Sequence, residues 1–385
     1  MRLLGTPLLV VLALLTVVLP ALAVLMWPRV AGPRAARVAA RAAMVVAAQL
    51  AAVLLVAAAA NDYGYFYGSW HDLWAGVEQA ATGSSGGTVT VQGVAARSGD
   101  PAAAGGLTMV PDRRFSTPAN EATRGRLESV MIRGDITGLH TRGYVYLPPQ
   151  YFRPRFAGTR FPAAEVFTGY PGSNRQLVSR LHYERLLLRD LHRHTARPMV
   201  LVMMRSTPVY PRDTECTDVP GGPQVQTFFA QDVPRQVVQH YRVIPDGWGA
   251  VGDSTGGYCA AKITMMNPFT FHAAASLSGY FTTLQDLTTG NLWGGSTLIR
   301  DQNNLDWRLQ HLPAPPVSVL VTTSRDEGGP LGVTNSQRFL HLSRAPMRVS
   351  SIVEPHGGHN FNTWLPEIPK ALSWLSSRLP PPGSA

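Results

Sequence analysis

Trp248-Gly249-Ala250-Val251-Gly252-Asp253-Ser254-Thr255-Gly256 is the stretch whose reading decides the fold. Its first four residues suit a buried strand, and Gly257 to Met266 suit a helix stopped at Asn267-Pro268. Between them, Gly252 to Gly256 reads G-x-S-x-G. A serine on such a tight strand-to-helix turn is held with its hydroxyl exposed, and the flanking glycines let the backbone turn without clash. Five residues alone are a weak signal, and Gly83-Ser84-Ser85-Gly86-Gly87 fits the same pattern. That second copy has no apolar strand before it and no helix after it. Context selects Ser254.

Working outward, short apolar runs alternate with helical patterns on both sides of this turn. Leu127 to Arg133 and Thr141 to Leu147 read as a pair of opening strands, the second ended by Pro148-Pro149. Ala163 to Thr168 is a strand closed by Gly169-Tyr170-Pro171-Gly172. Residues 175 to 195 carry leucines at helical spacing, Pro198 to Met204 is a strand, and Val233 to Val243 a helix. Downstream come a strand at Phe271 to Leu277 and a polar, Trp-containing insertion over 281 to 311. A strand at Val317 to Thr323, a helix at Thr334 to Leu342, a strand at Met347 to Val353 and a closing helix at Pro366 to Leu379 complete the chain. This alternation predicts an α/β domain with a mainly parallel sheet over 126–380, followed by a tail at 381–385.

The first 125 residues are of another kind. No charge occurs from Leu3 to Trp27 (25 positions) or from Ala42 to Ala60 (19 positions). Each run is long enough to cross a ~30 Å hydrocarbon core, so 1–62 reads as a membrane anchor with two spans. Arg29, Arg34, Arg37 and Arg41 fall between them, against only Arg2 outside. The excess of positive charge on the cytoplasmic side puts this connection inside the cell and everything after Ala60 outside it. A signal peptide ending near Ala21-Leu22-Ala23 is the rival reading, and it would leave four arginines outside. Tyr63, Tyr65, Phe66, Tyr67, Trp70 and Trp74 then form an interfacial aromatic belt. Residues 75 to about 124, rich in Gly, Ala, Ser and Pro, read as a tether with one short strand at Thr88 to Val94.

The net charge is +10, yet it is scattered arginine with no basic run interleaved with aromatics beyond the membrane loop. That favours a surface beside anionic lipid over a nucleic-acid partner. The two cysteines, Cys216 and Cys259, are few enough for one disulfide, which an extracytoplasmic location permits. The alternative is two buried thiols. Asp213-Thr214-Glu215-Cys216-Thr217-Asp218 is acidic in a basic protein and reads as a disulfide-held surface loop, with lining of the cleft as the other option.

A serine hydroxyl needs a base within reach and an acid to orient that base. In a fold of this kind the partners follow in the order Ser, Asp/Glu, His. Of 11 histidines, His311, His341, His356 and His359 are late enough in the chain. His359 lies in Gly357-Gly358-His359-Asn360-Phe361, a loop after the last strand, where α/β sheets place their ligands. His356 is the second candidate. Glu354, His356 and His359 lack a further ligand at metal spacing, so no metal is expected. The acid follows the strand at 317 to 323, where Asp326 and Glu327 both stand. Asp is the commoner residue in the role, the count from the strand end favours Glu327, and both remain open. Two backbone N–H groups must hold the oxyanion; the expected donors are Thr255 and Tyr170.

Several segments in order carry a family resemblance. They are Tyr144-Val145-Tyr146-Leu147-Pro148-Pro149, Phe167-Thr168-Gly169-Tyr170, the Ser254 turn with Tyr258, Ser278-Gly279-Tyr280, and Gly357-Gly358-His359-Asn360-Phe361-Asn362-Thr363-Trp364. Together they resemble the esterase D-type branch of the α/β-hydrolases, which also contains the mycolyltransferases of the antigen 85 complex. The resemblance implies carboxylic-ester chemistry by a Ser-His-acid triad with no cofactor, and a Glu acid as in the mycolyltransferases suits Glu327. Two departures stand out: Thr168-Gly169 where His-Gly is usual, and Ser324-Arg325-Asp326-Glu327 where Gly-x-x-Asp is usual. The expected protein is a membrane-anchored extracytoplasmic serine esterase acting on acyl esters, envelope lipids among them. Its rivals are an acyltransferase using the same acyl-enzyme and a non-catalytic envelope-binding protein on the same fold.

Overall fold

The computed structural model describes residues 6–64, 70, 73–74, 105–112, 120–210, 212–329 and 331–384. Its contacts divide the chain into two units, Met1–Thr82 and Gly83–Ala385. The serine motif at 83–87, the strand expected at 88–94 and Tyr65, Phe66 and Tyr67 lie outside the described residues.

The first unit holds two helices, α1 (Thr6–Met26) and α2 (Arg34–Gly64), each long and apolar enough to cross a bilayer. Leu14, Val17 and Val24 on α1 and Val53 and Val56 on α2 are exposed. A helix that is apolar all round has no face suited to water. α2 begins well before the uncharged run, so Arg34, Arg37 and Arg41 ride on its first turns and not in a loop. Alanine and arginine are both strong helix formers, which carries the helix back to Arg34. The Arg41 guanidinium lies 5.0 Å from the Trp27 ring and donates to the Trp27 carbonyl at 3.1 Å, tying the connection together. Trp70 and Trp74 are exposed.

The second unit is built on one sheet. Its strands are β1 (Gly106–Met109), β2 (Arg126–Arg133), β3 (His140–Leu147), β4 (Thr159–Thr168), β5 (Val200–Arg205), β6 (Val243–Asp253), β7 (Phe271–Leu277), β8 (Ser318–Ser324) and β9 (Arg348–Glu354). Their spatial order is β1-β2-β3-β5-β4-β6-β7-β8-β9, and the two-residue β10 (Gly383–Ser384) pairs with the start of β4. β1 to β3 and the β3–β5 pair are antiparallel; from β5 across to β9 every pair is parallel. The α/β fold with a mainly parallel sheet therefore holds.

Both faces of the sheet are covered, which is why its central strands are mainly apolar. On one face Ala163, Phe167, Val202, Trp248 and Ala250 pack with Tyr258, Cys259 and Ile263 of α6 (Thr255–Met266) and with Val233 and Val237 of α5 (Val233–His240). On the other, Gly249 leaves room for Leu375 of the last helix, Ile368–Arg378.

Three segments differ from the sequence reading. The leucine-rich run at 175–195 is two helices, α3 (Asn174–Ser179) and α4 (Tyr183–His192), because His182 between them is left-handed (φ 51°). The Gly/Ala-rich stretch before 125 contributes β1, whose four residues pair with β2 and bury Leu107. The insertion at 281–311 folds into α7 (Thr297–Asn303) and α8 (Leu305–His311), with Phe281, Leu305 and Leu309 in the core. Polar composition hid that packing because the apolar residues are sparse and widely spaced.

Candidate active site

The parallel strands all deliver their C-terminal ends to one rim, where an α/β sheet binds its ligands. Ser254 follows β6 directly and has φ 53° and ψ −124°, a backbone state that few side chains tolerate. The turn holds because its neighbours are glycines: a Cβ on Gly252 would strike the Gly256 carbonyl, and one on Gly256 would strike the Phe167 carbonyl. Ser254 N–H donates to the Leu277 carbonyl at 2.9 Å, which fixes the turn against β7.

The loop after β9 brings His359 back to this turn. Its Nε2 lies 2.7 Å from Ser254 Oγ, the separation of a hydrogen bond donated by the hydroxyl. The His359 side chain is 49% exposed, and its ring meets the Trp364 indole edge-on with centroids 5.1 Å apart. Partial burial holds the imidazole below its usual value, and the Glu327 carboxylate pulls in the opposite direction. At rest the ring is thus a neutral acceptor for the serine proton.

The turn after β8 separates the two acidic candidates. Glu327 points inward and is buried. Its Oε1 lies 3.8 Å from His359 Nδ1 and its Oε2 accepts from Thr323 Oγ1 at 3.1 Å. Oε1 takes no hydrogen bond among the described residues. Asp326 points outward: its Oδ2 accepts the Gly357 N–H at 3.2 Å and faces His356 Nδ1 at 3.3 Å. His356 is thereby drawn to Asp326 and away from the serine. Neither His311 nor His341 joins this group: His311 stacks on Trp307, and His341 sits in the last turn of the helix Val333–Leu342.

Beside the serine runs the loop Gly169–Gly172. A Cβ on Gly169 would lie 2.8 Å from Ser254 Cβ, so the loop touches the serine turn and tolerates only glycine there. Thr255, on the other side, opens α6, and a first helical residue has no intrahelical acceptor for its N–H. Tyr170 packs beside Tyr210 (6.3 Å between centroids), over which the Arg205 guanidinium sits at 4.3 Å.

The acidic stretch at 213–218 is not a surface loop. Asp213, Thr214, Glu215, Cys216 and Thr217 are all buried against α6. Cys216 and Cys259 are joined as a disulfide, with Cα atoms 5.6 Å apart. The Glu215 carboxyl accepts from Tyr280 Oη, and Lys262 Nζ donates to the Glu215 carbonyl at 3.0 Å and to Thr217 Oγ1 at 2.8 Å. Burial pushes the Asp213 carboxyl up to about 6 and the Lys262 amine down to about 7. Sequence reading missed this buried group. An acidic run signals solvent, and only Lys262 in an otherwise apolar helix hinted at a buried partner.

The family model described as "Putative esterase" matches residues 135–375. A segment of 60 residues is 38% identical to the MPT51 antigen of Mycobacterium leprae, covering 16% of this chain and 20% of that protein. Among solved structures, an S-formylglutathione hydrolase from Agrobacterium tumefaciens superposes with a TM-score of 0.57 at 13% identity, over 67% of this chain and 97% of that one. A ferulic acid esterase gives 0.55 at 17%, over 68% and 99%. The fluorophosphonate-binding serine hydrolase F of Staphylococcus aureus gives 0.51 at 15%, over 66% and 98%. These likenesses show the α/β-hydrolase fold, and the family match spans more than half the sequence: the chain is a member of the Esterase family.

Proposed function

We propose that the protein is a serine esterase that cleaves acyl esters through an acyl-enzyme on Ser254. Ser254 Oγ attacks the ester carbon while its proton passes to His359 Nε2. Glu327 orients the ring through Nδ1 and stabilises the imidazolium as it forms. The carbonyl oxygen becomes an oxyanion and accepts from the N–H groups of Thr255 and Tyr170. Collapse expels the alcohol, which takes its proton from His359. Water, activated by the same imidazole, then releases the acid.

The 2.7 Å approach of His359 to Ser254 carries this reading. A binding protein gains nothing from a serine held in a strained turn against a neutral imidazole. Asp326 serves the loop: its bond to Gly357 holds the backbone that presents His359.

The test is labelling by a fluorophosphonate together with turnover of p-nitrophenyl esters from acetyl to palmitoyl. Labelling and turnover, both lost in Ser254→Ala, are expected. A folded wild-type protein inert to both would end the esterase reading.

The two helices of the first unit support anchorage in the cell membrane, and the arginines at the start of α2 support a cytoplasmic connection with the esterase unit outside. Resistance to alkaline carbonate extraction, and digestion of the esterase unit by protease added to intact cells, are the expected results.

A further inference from the structure

We propose that Asp253 is a positioning residue that pins the oxyanion loop to the serine turn, through the hydrogen bond its carboxyl accepts from the Gly169 N–H. This rests on the esterase reading above and adds to it a residue that the proton relay does not use.

Asp253 is the last residue of β6, between Gly252 and Ser254, and is fully buried. Its Oδ2 takes the Gly169 N–H at 2.9 Å, and Oδ1 has no partner among the described residues. The bond follows from register. Phe167 of β4 pairs with Gly252 of β6, so the backbone of 169 and the side chain of 253 emerge side by side just beyond the last rung. Two further bonds are internal to the loop: Gly172 N–H donates to the Gly169 carbonyl at 2.8 Å, and Thr168 Oγ1 donates to the same oxygen at 3.2 Å. Those bonds shape the turn but do not set its distance from Ser254.

That distance matters because the second oxyanion donor is the next residue, Tyr170. Gly169 must be glycine, since a Cβ would lie 2.8 Å from Ser254 Cβ and 3.1 Å from Asp253 Oδ2. Glycine is also the residue with the most backbone freedom. A donor attached to such a hinge holds its direction only if the hinge is fixed, and the Asp253 bond fixes it. Burial pushes the carboxyl up to about 7, against the pull of the Gly169 N–H, and Tyr183 lies on the same side of the sheet. Either protonation state keeps an oxygen lone pair for Gly169, so the clamp does not depend on charge.

Steady-state kinetics of the full-length protein on a p-nitrophenyl ester test this, with the melting temperature recorded for each variant. Asp253→Asn keeps an acceptor oxygen and is expected to hold kcat within about threefold. Asp253→Ala and Asp253→Val remove the acceptor, and kcat is expected to fall by about 10²-fold with KM little changed, as when an oxyanion donor is lost. Wild-type kcat in Ala or Val overturns the proposal, as does an equal loss in Asn, Ala and Val. Failure of both Ala and Val to fold makes the residue structural and also overturns it. The esterase reading fails separately, in a wild-type protein that neither labels nor turns over.

Discussion

Asp253 and Glu165 are both fully buried carboxyls on neighbouring central strands, and their surroundings could hardly differ more. Asp253 ends β6 at the rim, where the ladder to β4 has run out and a loop N–H comes within 2.9 Å. Glu165 lies within β4, opposite Val202 and Ala250, and neither of its oxygens has a partner among the described residues. Burial raises both groups, Glu165 well above the ordinary range. The rim tolerates buried polar atoms because strand ends leave backbone donors unpaired; mid-strand donors are already committed to the ladder. A polar group at the rim can therefore position something. One in the middle of a strand is only a cost.

If that contrast is right, rim substitutions should change rate at constant stability and interior ones should change stability at constant rate. The largest expected effect is Ser254→Ala, a loss in kcat on the order of 10⁴–10⁶-fold with the melting temperature unmoved. Next comes the adjacent acidic pair. Glu327→Gln should lower kcat by about 10²–10⁴-fold, whereas Asp326→Asn should stay within about threefold. The same Glu327 variant sharpens the pH profile. The acid limb of kcat/KM reports His359, whose value lies below the usual 6.5 and is held up by Glu327. Removing the carboxylate should move that limb to still lower pH, and a limb that rises instead would sink the assignment.

Removal of the disulfide should cost stability and leave chemistry intact. Cys216 and Cys259 are 43 residues apart, and opening a loop of that size is worth about 4 kcal/mol by chain entropy. Denaturant melts of a Cys216→Ala, Cys259→Ala double variant measure this. The smallest effect is a gain. Glu165→Leu removes an unpartnered polar group and should stabilise the fold by about 1–3 kcal/mol, with kcat unchanged. The sign of its pH dependence follows from the raised value. The folded chain holds this proton where the unfolded chain begins to lose it near the ordinary 4.5, so the wild type loses stability as pH rises from there. The gain from Glu165→Leu should accordingly grow from pH 4 to pH 7. A gain that shrank would mean that the carboxyl is ionised and paired.

Much of the strand framework could be read from local pattern. The strand Phe271–Leu277 stands at the bounds its apolar run predicts, and the other strands expected from 126 onward lie within about five residues of theirs, whereas β1 was not expected. The serine turn was legible for the same reason, since a strained turn flanked by glycines leaves its mark in five consecutive residues. His359 was legible from its place in a glycine-rich loop after the last strand. The choice between Asp326 and Glu327 was not. They are neighbours with the same charge, and which one faces inward depends on how the turn after β8 meets the loop after β9. The break at His182 was hidden too, because leucine spacing continues across it.

What the sequence determined by itself was most of the order of strands and helices from 126 onward, the tight turn that carries Ser254 and the two uncharged runs at the start. Each of these is encoded by residues close together in the chain, through backbone sterics and hydrophobic period. Tertiary structure alone decided which carboxylate meets the imidazole, that an acidic run lies buried under α6, and that Asp253 reaches across to Gly169. Those outcomes depend on how segments distant in the chain meet. For Asp253, which ends β6, a register shift of one residue would turn the side chain to the opposite face of the sheet.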